Sequence, residues 1–520
     1  RLIAEAQSRP VDDQLNFNPY QQVVYDTIAT MVDSDDSLPL PNGKVFFVDG
    51  PGGTGKTFLF DALLNKVRRE GKIAVAVASS GTASLLLEGG RTSHSVFKIP
   101  LNVDPDSMCN IKPNSPTADL LMQTKLILWD ESSMTSKDIF EALDRSLKDI
   151  AKFVDPRLEN VPFGSRLLVF GGDFCQILPV VPKGSRSQIV SQCINRSYLG
   201  SHVQVLRLRT NMRVQQALVS NNLTLASELQ AFATKLLATG DGQLDTLKIN
   251  LGGEPPEISD TDFIEIPNSM IIRDNNLIRL LQAMYPGFYQ VPQHFSTTSL
   301  INSAILTTTN KDVAAINDLL FDVFPGEGTI CISADAPTTD NEDLAVSTEF
   351  LNSLEAGGLP PHVLKLKIGA PIMLLRNICP KQGLCNGTRL TVRTILLHVI
   401  EALVAIGSHV GNVAYIPKIK LLSGNEPTTL PLSFSRTQFP VRLAFAMTIN
   451  KSQGQTMDRV GLYLPKHVFS HGQLYIALSR VKSPAAIKIM IDDTDSSINN
   501  SRTKTYTRNV VYTEVLSNNN

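Results

Sequence analysis

The 520-residue sequence lacks any uninterrupted apolar segment that approaches the ~20 residues needed to cross a bilayer. It also lacks a basic-then-apolar leader, so we expect neither membrane insertion nor secretion. An excess of either charge is missing too, since 48 lysines and arginines face 49 aspartates and glutamates. No overall positive field attracts nucleic acid, and any nucleic-acid track is expected to be local.

Cysteine is scarce, and the six cysteines are scattered along the chain. Cys379 and Cys385 lack the C-x2-C spacing of a zinc site, so we predict free thiols in a reducing compartment. The composition of a disordered chain is also absent, because hydrophobic residues make up 42% and charged residues 19%. This length predicts two to four domains. Because the chain begins at Arg1, we expect a piece of a longer polypeptide.

Short runs of valine, isoleucine and leucine alternate with helical or polar stretches in the first part of the chain, which is typical of a parallel sheet. The predicted strands there are Val45–Asp49, Ile73–Ala78, Leu126–Asp130, Leu167–Phe170 and Val203–Leu208. The pattern returns later, with predicted strands Ser303–Thr309, Leu443–Thr448 and Ala485–Ile491 and a helix Asp312–Phe321. The predicted fold class is α/β, with two doubly wound parallel-sheet domains.

Closely spaced strand-like runs joined by glycine and asparagine turns separate the two parts of the second region, over Val363–Phe439. The runs are Pro371–Arg376, Arg389–Val399 and Val413–Leu422, and they predict a small β-barrel insertion. Proline, aspartate and asparagine are frequent in Pro100–Pro116 and Ala334–Asn341, which we predict to be loops, and Asn518–Asn520 is predicted to be a frayed tail.

A glycine-rich segment, Gly50–Thr57, follows an apolar strand and opens a helical pattern, which is the context that a phosphate-binding loop requires. Its glycines let successive backbone N–H groups face a triphosphate. Lys56 is predicted to reach the β- and γ-phosphates, and Thr57 to offer its hydroxyl to Mg²⁺. The predicted nucleotide-binding residues are Gly52, Gly53, Thr54, Gly55, Lys56 and Thr57.

An acidic pair, Asp130 and Glu131, ends the apolar strand Leu126–Asp130. Asp130 is predicted to join the magnesium shell, and Glu131 to polarise the water that attacks the γ-phosphate. Two acids indicate hydrolysis rather than phosphoryl transfer to another acceptor.

Three further residues complete the predicted catalytic set. Gln176, after the strand Leu167–Phe170, is predicted to sense the γ-phosphate or to orient water. Arg213 and Arg480 both lie beyond the first domain, and either could bring positive charge to the transferred phosphoryl group when the domains close.

With these residues in order, the sequence resembles the superfamily 1B DNA helicases of the PIF (petite integration frequency) family, particularly the helicase region of Helitron transposons. Further motifs in the same order carry the resemblance, namely Leu15–Gln21, Asp130–Met134, Pro162–Gly164, Gly172–Val180, Asn211–Arg213, Leu384–Arg389, Thr448–Thr456 and Gln473–Val481.

The resemblance implies two tandem RecA-like domains with an SH3-like insertion and a short wedge. The implied boundaries are 1–208 for the first domain with its wedge at 95–118, 209–350 and 441–520 for the second domain, and 351–440 for the insertion.

The resemblance also implies roles. Gln21 would contact adenine, Gly454 would contribute to nucleotide binding, Gln176 would couple nucleotide state to DNA, and Arg213 and Arg480 would reach the γ-phosphate. ATP and Mg²⁺ would be the substrate and cofactor. The implied activity is 5′→3′ translocation on single-stranded DNA and unwinding of 5′-tailed duplex by a monomeric motor in the nucleus, with no membrane partner.

Two departures from the cellular PIF helicases match the Helitron branch: Ile177-Leu178-Pro179 and Asn450. They favour a role in rolling-circle transposition over genome maintenance. An N-terminal replication-initiator or transposase region would then precede the chain.

Predicted DNA contacts lie beside strand ends, where a motor can hold phosphates and stack bases without reading sequence. They are Thr92, Ser93, His94, Phe97, Asn310, Asn450, Lys451 and Ser452. A threonine-serine-histidine cluster is also common in helix caps, and phenylalanine is more often a core residue.

Three functions stay open at this point. The first is a helicase, the second a DNA-stimulated ATPase that translocates without separating strands, and the third a nucleotide-dependent binding module whose catalysis has decayed. The intact predicted catalytic set favours the first.

Overall fold

The computed structural model describes residues 1–8, 16–34, 44–249, 261–274, 276–286, 300–338, 346–354, 356–407, 409–423, 433–491 and 504–516. Leu15, the end of the predicted loop Ala334–Asn341 and the predicted tail Asn518–Asn520 lie outside these residues. All six cysteines lie within them and are free thiols, as predicted. In the described part of the chain, no helix has the length and apolarity to span a membrane.

The first part of the chain forms a parallel sheet of six strands in the order β3-β2-β4-β5-β1-β6. The strands are β1 Lys44–Asp49, β2 Ile73–Ala78, β3 Arg91–Thr92, β4 Thr124–Asp130, β5 Leu167–Gly172 and β6 Val203–Arg207. Alternate residues enter different cores: Val45 and Phe47 pack on one face of the sheet, and Phe46 and Val48 on the other. Helices cover both faces, so the central strands are apolar throughout. The five predicted strands are confirmed, and the two-residue β3 was missed.

Among the described residues, eight α-helices accompany this sheet. They are α1 Leu2–Ser8, α2 Pro19–Asp33, α3 Lys56–Arg69, α4 Gly81–Ser84, α5 Ser93–Phe97, α6 Pro116–Gln123, α7 Lys137–Ala151 and α8 Arg186–Ser191. Short 3₁₀ helices lie at Ser132–Met134, Pro156–Asn160, Pro162–Ser165, Ile194–Arg196 and Tyr198–His202. The segment from Pro100 to the start of α6 consists of turns and bends, which confirms the predicted loop.

A helical hairpin leads to the second part of the chain, α9 Met212–Val219 and α10 Leu223–Gly240, followed by β7 Thr246–Ile249, β8 Thr261–Ile266, α11 Leu277–Met284, β9 Ser303–Thr307 and α12 Asn310–Val323. Its parallel sheet has the order β20-β9-β21-β22, with β20 Ala446–Thr448, β21 Arg459–Leu464 and β22 Ile487–Ile491. Within the predicted strand Leu443–Thr448, only residues 446–448 belong to this sheet, so that prediction was partly wrong.

Antiparallel strands fill the chain between β9 and β20. They are β10 Thr329–Ile332, β11 Ala334–Pro337, β12 Val363–Leu366, β13 Pro371–Leu374, β14 Arg389–Ile395, β15 Val399–Val404, β16 Val413–Pro417, β17 Ile419–Leu422, β18 Phe434–Gln438 and β19 Val441–Leu443, with helix α13 Thr348–Ser353. They form sheets of the orders β16-β15-β14-β13-β19, β11-β18-β17 and β10-β12.

Three predictions in this region were wrong in detail. The predicted run Arg389–Val399 ends in a turn and continues as β15, and Val413–Leu422 divides into β16 and β17. The loop predicted over Ala334–Asn341 begins as a strand, because β11 pairs antiparallel with β18. Its proline is tolerated because β11 lies at a sheet edge.

The last described segment joins both parallel sheets. After helix α14 Gln473–Ser479, strand β23 Thr505–Arg508 pairs with β8, and α15 Thr513–Leu516 follows. Tyr512 and Val515 are buried in the core of the first sheet, and Glu514 accepts two hydrogen bonds from Arg186 at 2.9 and 2.6 Å. Although the implied boundary assigns 441–520 to the second domain, these side chains pack in the first.

A buried ion pair joins β11 to β18. Asp335 Oδ2 lies 2.6 Å from Arg436 Nη2, and their side chains are 0% and 2% exposed. We expect Asp335→Ala to cost about 3–5 kcal/mol, because it leaves the Arg436 charge buried and unpaired. The measurement is the midpoint of thermal unfolding. The control is Arg157→Ala, which removes an exposed pair with Asp155 worth at most about 1 kcal/mol. Equal midpoints for the two variants would contradict this expectation.

Candidate active site

The glycine-rich segment curls between β1 and α3, at the edge where the parallel strands end. Gly53 and Gly55 have φ values of 91° and 78°, which favour glycine. A Cβ on Gly55 would lie 2.5 Å from Gln21 Nε2, so a side chain there would also displace the Gln21 amide. The curled loop and the first turn of α3 direct N–H groups outward, which is the arrangement that binds phosphate.

Lys56 begins α3 and forms an ion pair with Asp130, with 3.1 Å between Nζ and Oδ1. Burial alone would lower the pKa of Lys56, but the charges of Asp130 and Glu131 outweigh it and raise that pKa. Lys56 therefore stays cationic, as a ligand for phosphate must be.

Thr57 and Asp130 offer one hydroxyl and one carboxylate, and no cluster of three or more acidic, histidine or cysteine ligands exists in the described ranges. Such a donor set suits Mg²⁺, which is commonly held by one or two carboxylates and completed by substrate phosphates and water.

Glu131 contacts the second part of the chain. Gln453 Nε2 donates to Glu131 Oε2 at 3.0 Å, and a Cβ on Gly454 would lie 4.0 Å from Glu131 Oε1. Burial raises the pKa of Glu131; Lys56 opposes this rise and Asp130 adds to it. Gln453 was not among the predicted site residues, although it adjoins Gly454 within a quoted motif.

Gln176 lies on the loop after β5 and is buried. Its Nε2 donates to Asp173 Oδ2 at 3.2 Å, and the same oxygen accepts from Tyr475 Oη at 2.8 Å. Asp173 and Tyr475 were also absent from the predicted site residues. Both lie within motifs named above, but nothing in the sequence shows that these two side chains are buried and contact each other.

The two predicted arginines occupy different environments. Arg213 lies beside the phosphate loop, where a Cβ on Gly53 would be 3.5 Å from its Nε, and its Nη1 donates to Val481 O at 3.1 Å. Arg480 is buried, and its Nη1 donates to Ser452 O and Gln455 O at 3.2 and 3.0 Å. Contact of either arginine with a γ-phosphate stays a prediction.

Gln21 braces the phosphate loop. Its Nε2 donates to Thr54 O at 3.0 Å and its Oε1 accepts from Asn18 N at 3.1 Å, as part of the cap of α2. The side chain is 0% exposed. Each end of the amide makes one of these hydrogen bonds, and the predicted contact of Gln21 with adenine stays a prediction.

A cavity of about 870 Å³ opens beside the phosphate loop. The loop, the start of α9 and the end of α14 line it, through Pro51, Gly52, Thr54, Asn211, Arg213, Tyr475, Ser479 and Lys482. Asp49, Asp173 and Asp241 line another wall. Of the residues predicted to bind or hydrolyse a nucleotide, Gly52, Thr54 and Arg213 line this cavity. Lys56, Asp130 and Glu131 lie next to the phosphate loop but do not line the cavity.

The predicted DNA contacts divide into exposed and buried residues. His94, Asn310 and Asn450 are exposed, and Thr92 and Lys451 are half-buried. Burial, with the nearby charge of Arg442, lowers the pKa of Lys451 to about 8.

Three of the predicted contacts are corrected by burial. Phe97 is 0% exposed, and its ring centroid lies 5.5 Å from that of Trp129, so it is a core residue and cannot stack on a base. Ser93 is buried as well. Ser452 is buried, and its hydroxyl donates to Ile449 O at 2.7 Å. Periodicity could not separate these residues from their exposed neighbours.

Comparison with known families identifies proteins that this chain resembles. A model of PIF1-like helicases matches residues 16–249, and a model of the 2B domain of DNA helicase Pif1 matches residues 349–395. ATP-dependent DNA helicase PIF1 of Homo sapiens is 28% identical over 453 residues, which are 86% of this chain and 58% of that protein. The Pif1 of Campylobacter jejuni is 25% identical over 467 residues, 85% of this chain and 88% of that protein. The chain spans less than two thirds of the human relative.

Solved structures agree in fold. Pif1 helicase from Candida albicans has a TM-score of 0.60 at 22% identity, covering 97% of this chain and 99% of that one. Pif1 helicase from Bacteroides in complex with ADP-AlF3 and ssDNA has a TM-score of 0.60 at 21% identity, covering 92% of each chain. The parallel-sheet α/β core agrees with RecA-like domains, and the relatives are named as ATP-dependent helicases, a family of hydrolases.

Because Phe97 is a core residue, we expect Phe97→Ala to lower the free energy of unfolding by about 3–5 kcal/mol. Denaturant unfolding measures this loss. Leu101→Ala is the control, since Leu101 lies on the same segment and is 96% exposed. Unchanged stability together with weaker binding of single-stranded DNA would restore the stacking role of Phe97.

Asp49 gives a pH dependence of stability. Burial, with the charge of Asp173, raises its pKa from 3.8 to about 7. The pKa of Asp49 is therefore higher in the folded protein than in the unfolded chain. The protonated carboxyl group stabilises the fold fully below the unfolded-state pKa, and this stabilisation is lost as pH rises through about 7.

We expect Asp49→Asn to remove this loss, which is on the order of a few kcal/mol. Unfolding midpoints between about pH 5 and pH 8 measure it. Asp106→Asn, which changes an exposed acid outside the cavity, should keep the wild-type profile. Parallel profiles for Asp49→Asn and wild type would contradict the assignment.

Proposed function

We propose that this chain, which belongs to the PIF1-like helicase family, is an ATP-driven helicase that moves 5′→3′ on single-stranded DNA and unwinds 5′-tailed duplex. The observation that carries the proposal is the hydrogen bond between Glu131 and Gln453. It joins the carboxylate that follows β4 to a motif of the second parallel sheet, so the hydrolytic site is completed by both halves of the motor.

In this proposal the phosphate loop and Lys56 bind the β- and γ-phosphates. Thr57 and Asp130 would hold Mg²⁺, which supplies charge neutralisation at those phosphates. Glu131 accepts a proton from the attacking water, and Arg213, beside Gly53, brings positive charge to the phosphoryl group.

Movement along DNA follows from making and breaking the contact across the cleft. Asn310 and Asn450 follow β9 and β20, which are paired strands, and His94 follows β3 of the first sheet. These exposed side chains are the candidate contacts with backbone phosphates. The Bacteroides relative was solved with single-stranded DNA, which supports the same ligand here.

The finer assignments are also proposals. The match to a Pif1 2B domain over 349–395 supports an insertion over 351–440, for which we propose an SH3-like fold, with a wedge at 95–118. The relatives cited are PIF1 helicases, so rolling-circle transposition rests on Asn450 and Ile177-Leu178-Pro179 alone, and a genome-maintenance role remains its alternative. A monomeric state and a nuclear location complete the proposal.

Lys56→Ala tests the mechanism. We expect ATP turnover to fall roughly a hundredfold or more, because the cation at the phosphates is lost. Displacement of the strand from 5′-tailed duplex should stop, while binding of single-stranded DNA persists. Strand-displacement and ATPase assays on 5′- and 3′-tailed duplexes measure activity and direction together. Lys66→Ala is the matched control, because Lys66 lies on the same helix and pairs with Asp33 and Glu70.

Other outcomes discriminate between the functions. Hydrolysis stimulated by single-stranded DNA without a displaced strand would favour a translocase that does not separate strands. Absence of ATP turnover with saturating single-stranded DNA would reject both motors and favour a nucleotide-dependent binding module. Unwinding by Lys56→Ala at the wild-type rate would reject the proposed role of the phosphate loop.

A further inference from the structure

Asp173 is the centre of a buried network beside the nucleotide cleft. Its Oδ1 accepts from Cys175 N at 3.0 Å, and its Oδ2 accepts from Gln176 Nε2 at 3.2 Å and from Tyr475 Oη at 2.8 Å. Asp173 and Gln176 are on the loop after β5, whereas Tyr475 is on α14 of the second part of the chain. The network therefore crosses the cleft.

The chemistry of the network determines the orientation of the Gln176 amide. Both oxygens of Asp173 accept hydrogen bonds, so the NH₂ end of Gln176 faces this carboxylate. The amide oxygen, Oε1, is then the end directed away. It is buried, and no hydrogen-bond partner for it exists within the described ranges. A buried acceptor of this kind costs free energy until a donor reaches it.

Tyr475 packs against the end of α10, and the start of its own helix packs against the loop after β5. A Cβ on Gly240 would lie 3.0 Å from Tyr475 Cδ2, so the ring has little room to move. Gly472, at the start of α14, is so close to the loop that a Cβ would lie 2.5 Å from Cys175 O. Burial, with the charge of Asp173, raises the pKa of Tyr475, so the phenol stays protonated and can donate.

We propose that Tyr475 is a positioning residue: through Asp173 it fixes the Gln176 amide with its oxygen free to accept a hydrogen bond from the water that attacks the γ-phosphate. Tyr475 comes from the opposite side of the cleft, so this orientation is secured only when the two parallel sheets are together. The inference rests on the proposed ATPase function. It assigns to Tyr475 the coupling between domain closure and Gln176.

Tyr475→Phe tests the inference, because it removes the hydroxyl and keeps the ring. We expect kcat for ATP in the presence of single-stranded DNA to fall about tenfold, with the KM for ATP changed by less than about twofold. The matched control is Tyr285→Phe, another buried tyrosine of the second part of the chain, whose hydroxyl donates to Phe445 O at 3.0 Å. It should keep the wild-type kcat.

A double-mutant cycle separates positioning from a general structural effect. If Tyr475 acts through Gln176, adding Tyr475→Phe to Gln176→Ala should lower kcat by less than about twofold further. Independent tenfold losses would show that Tyr475 acts elsewhere and would overturn the inference, as would a wild-type kcat in Tyr475→Phe alone. A wild-type protein without DNA-stimulated ATP turnover would instead overturn the proposed function.

Discussion

The ion pair between Lys56 and Asp130 is the contact on which the nucleotide site depends, and the strand order sets a condition for it. β5 lies between β4, which ends at Asp130, and β1, which leads to the phosphate loop. A Cβ on Gly171 of β5 would lie 2.9 Å from Asp130 Oδ1 and 2.5 Å from the Phe60 ring. Glycine at this position therefore lets α3 and the carboxylate approach each other across the end of β5.

The same strand order explains the charges of the site. The loop that follows β5 leaves the sheet between the ends of β1 and β4 and carries Gln176, whose amide donates to Asp173. Glu131 meets a neutral amide, Gln453, rather than a cation, across the cleft. The hydrogen bond from this amide orients the carboxylate. Burial, the largest effect, raises the pKa of Glu131, and the hydrogen bond from Gln453 opposes this rise.

Residues at strand ends could be predicted from the sequence because their local context is sufficient: an apolar strand followed by a glycine-rich or acidic segment specifies which atoms face the cleft. Asp173, Gln453 and Tyr475 could not be predicted, since their roles come from contacts between segments about 300 residues apart. The prediction that Phe97 contacts DNA was wrong for a related reason. Only the packing against Trp129 shows that the ring faces the core rather than the DNA track.

The same limit applies to strands. The predicted strand Leu443–Thr448 runs from the end of β19 Val441–Leu443 through β20 Ala446–Thr448, yet these two strands belong to an antiparallel and a parallel sheet. The pairing partner of a strand, β13 for the first and β9 for the second, depends on the tertiary fold and leaves no trace in local composition.

The contacts across the cleft differ in strength. Separation at Glu131 and Gln453 breaks one charge-assisted hydrogen bond, worth about 1.5–3 kcal/mol. Separation at the C-terminal segment would withdraw Tyr512 and Val515 from the first core, at about 1.5–3 kcal/mol for each buried side chain, and would also break the pair of hydrogen bonds between Arg186 and Glu514.

His471 makes further contacts near the C-terminal segment. Burial lowers its pKa to about 4, so the ring is neutral near pH 7; Nδ1 accepts from Tyr512 N and Nε2 donates to Phe174 O, both at 2.8 Å. One imidazole thus joins the first sheet, α14 and the C-terminal segment. Withdrawal of α14 from the loop after β5 would therefore break the hydrogen bond from His471 to Phe174 O as well as that from Tyr475 to Asp173.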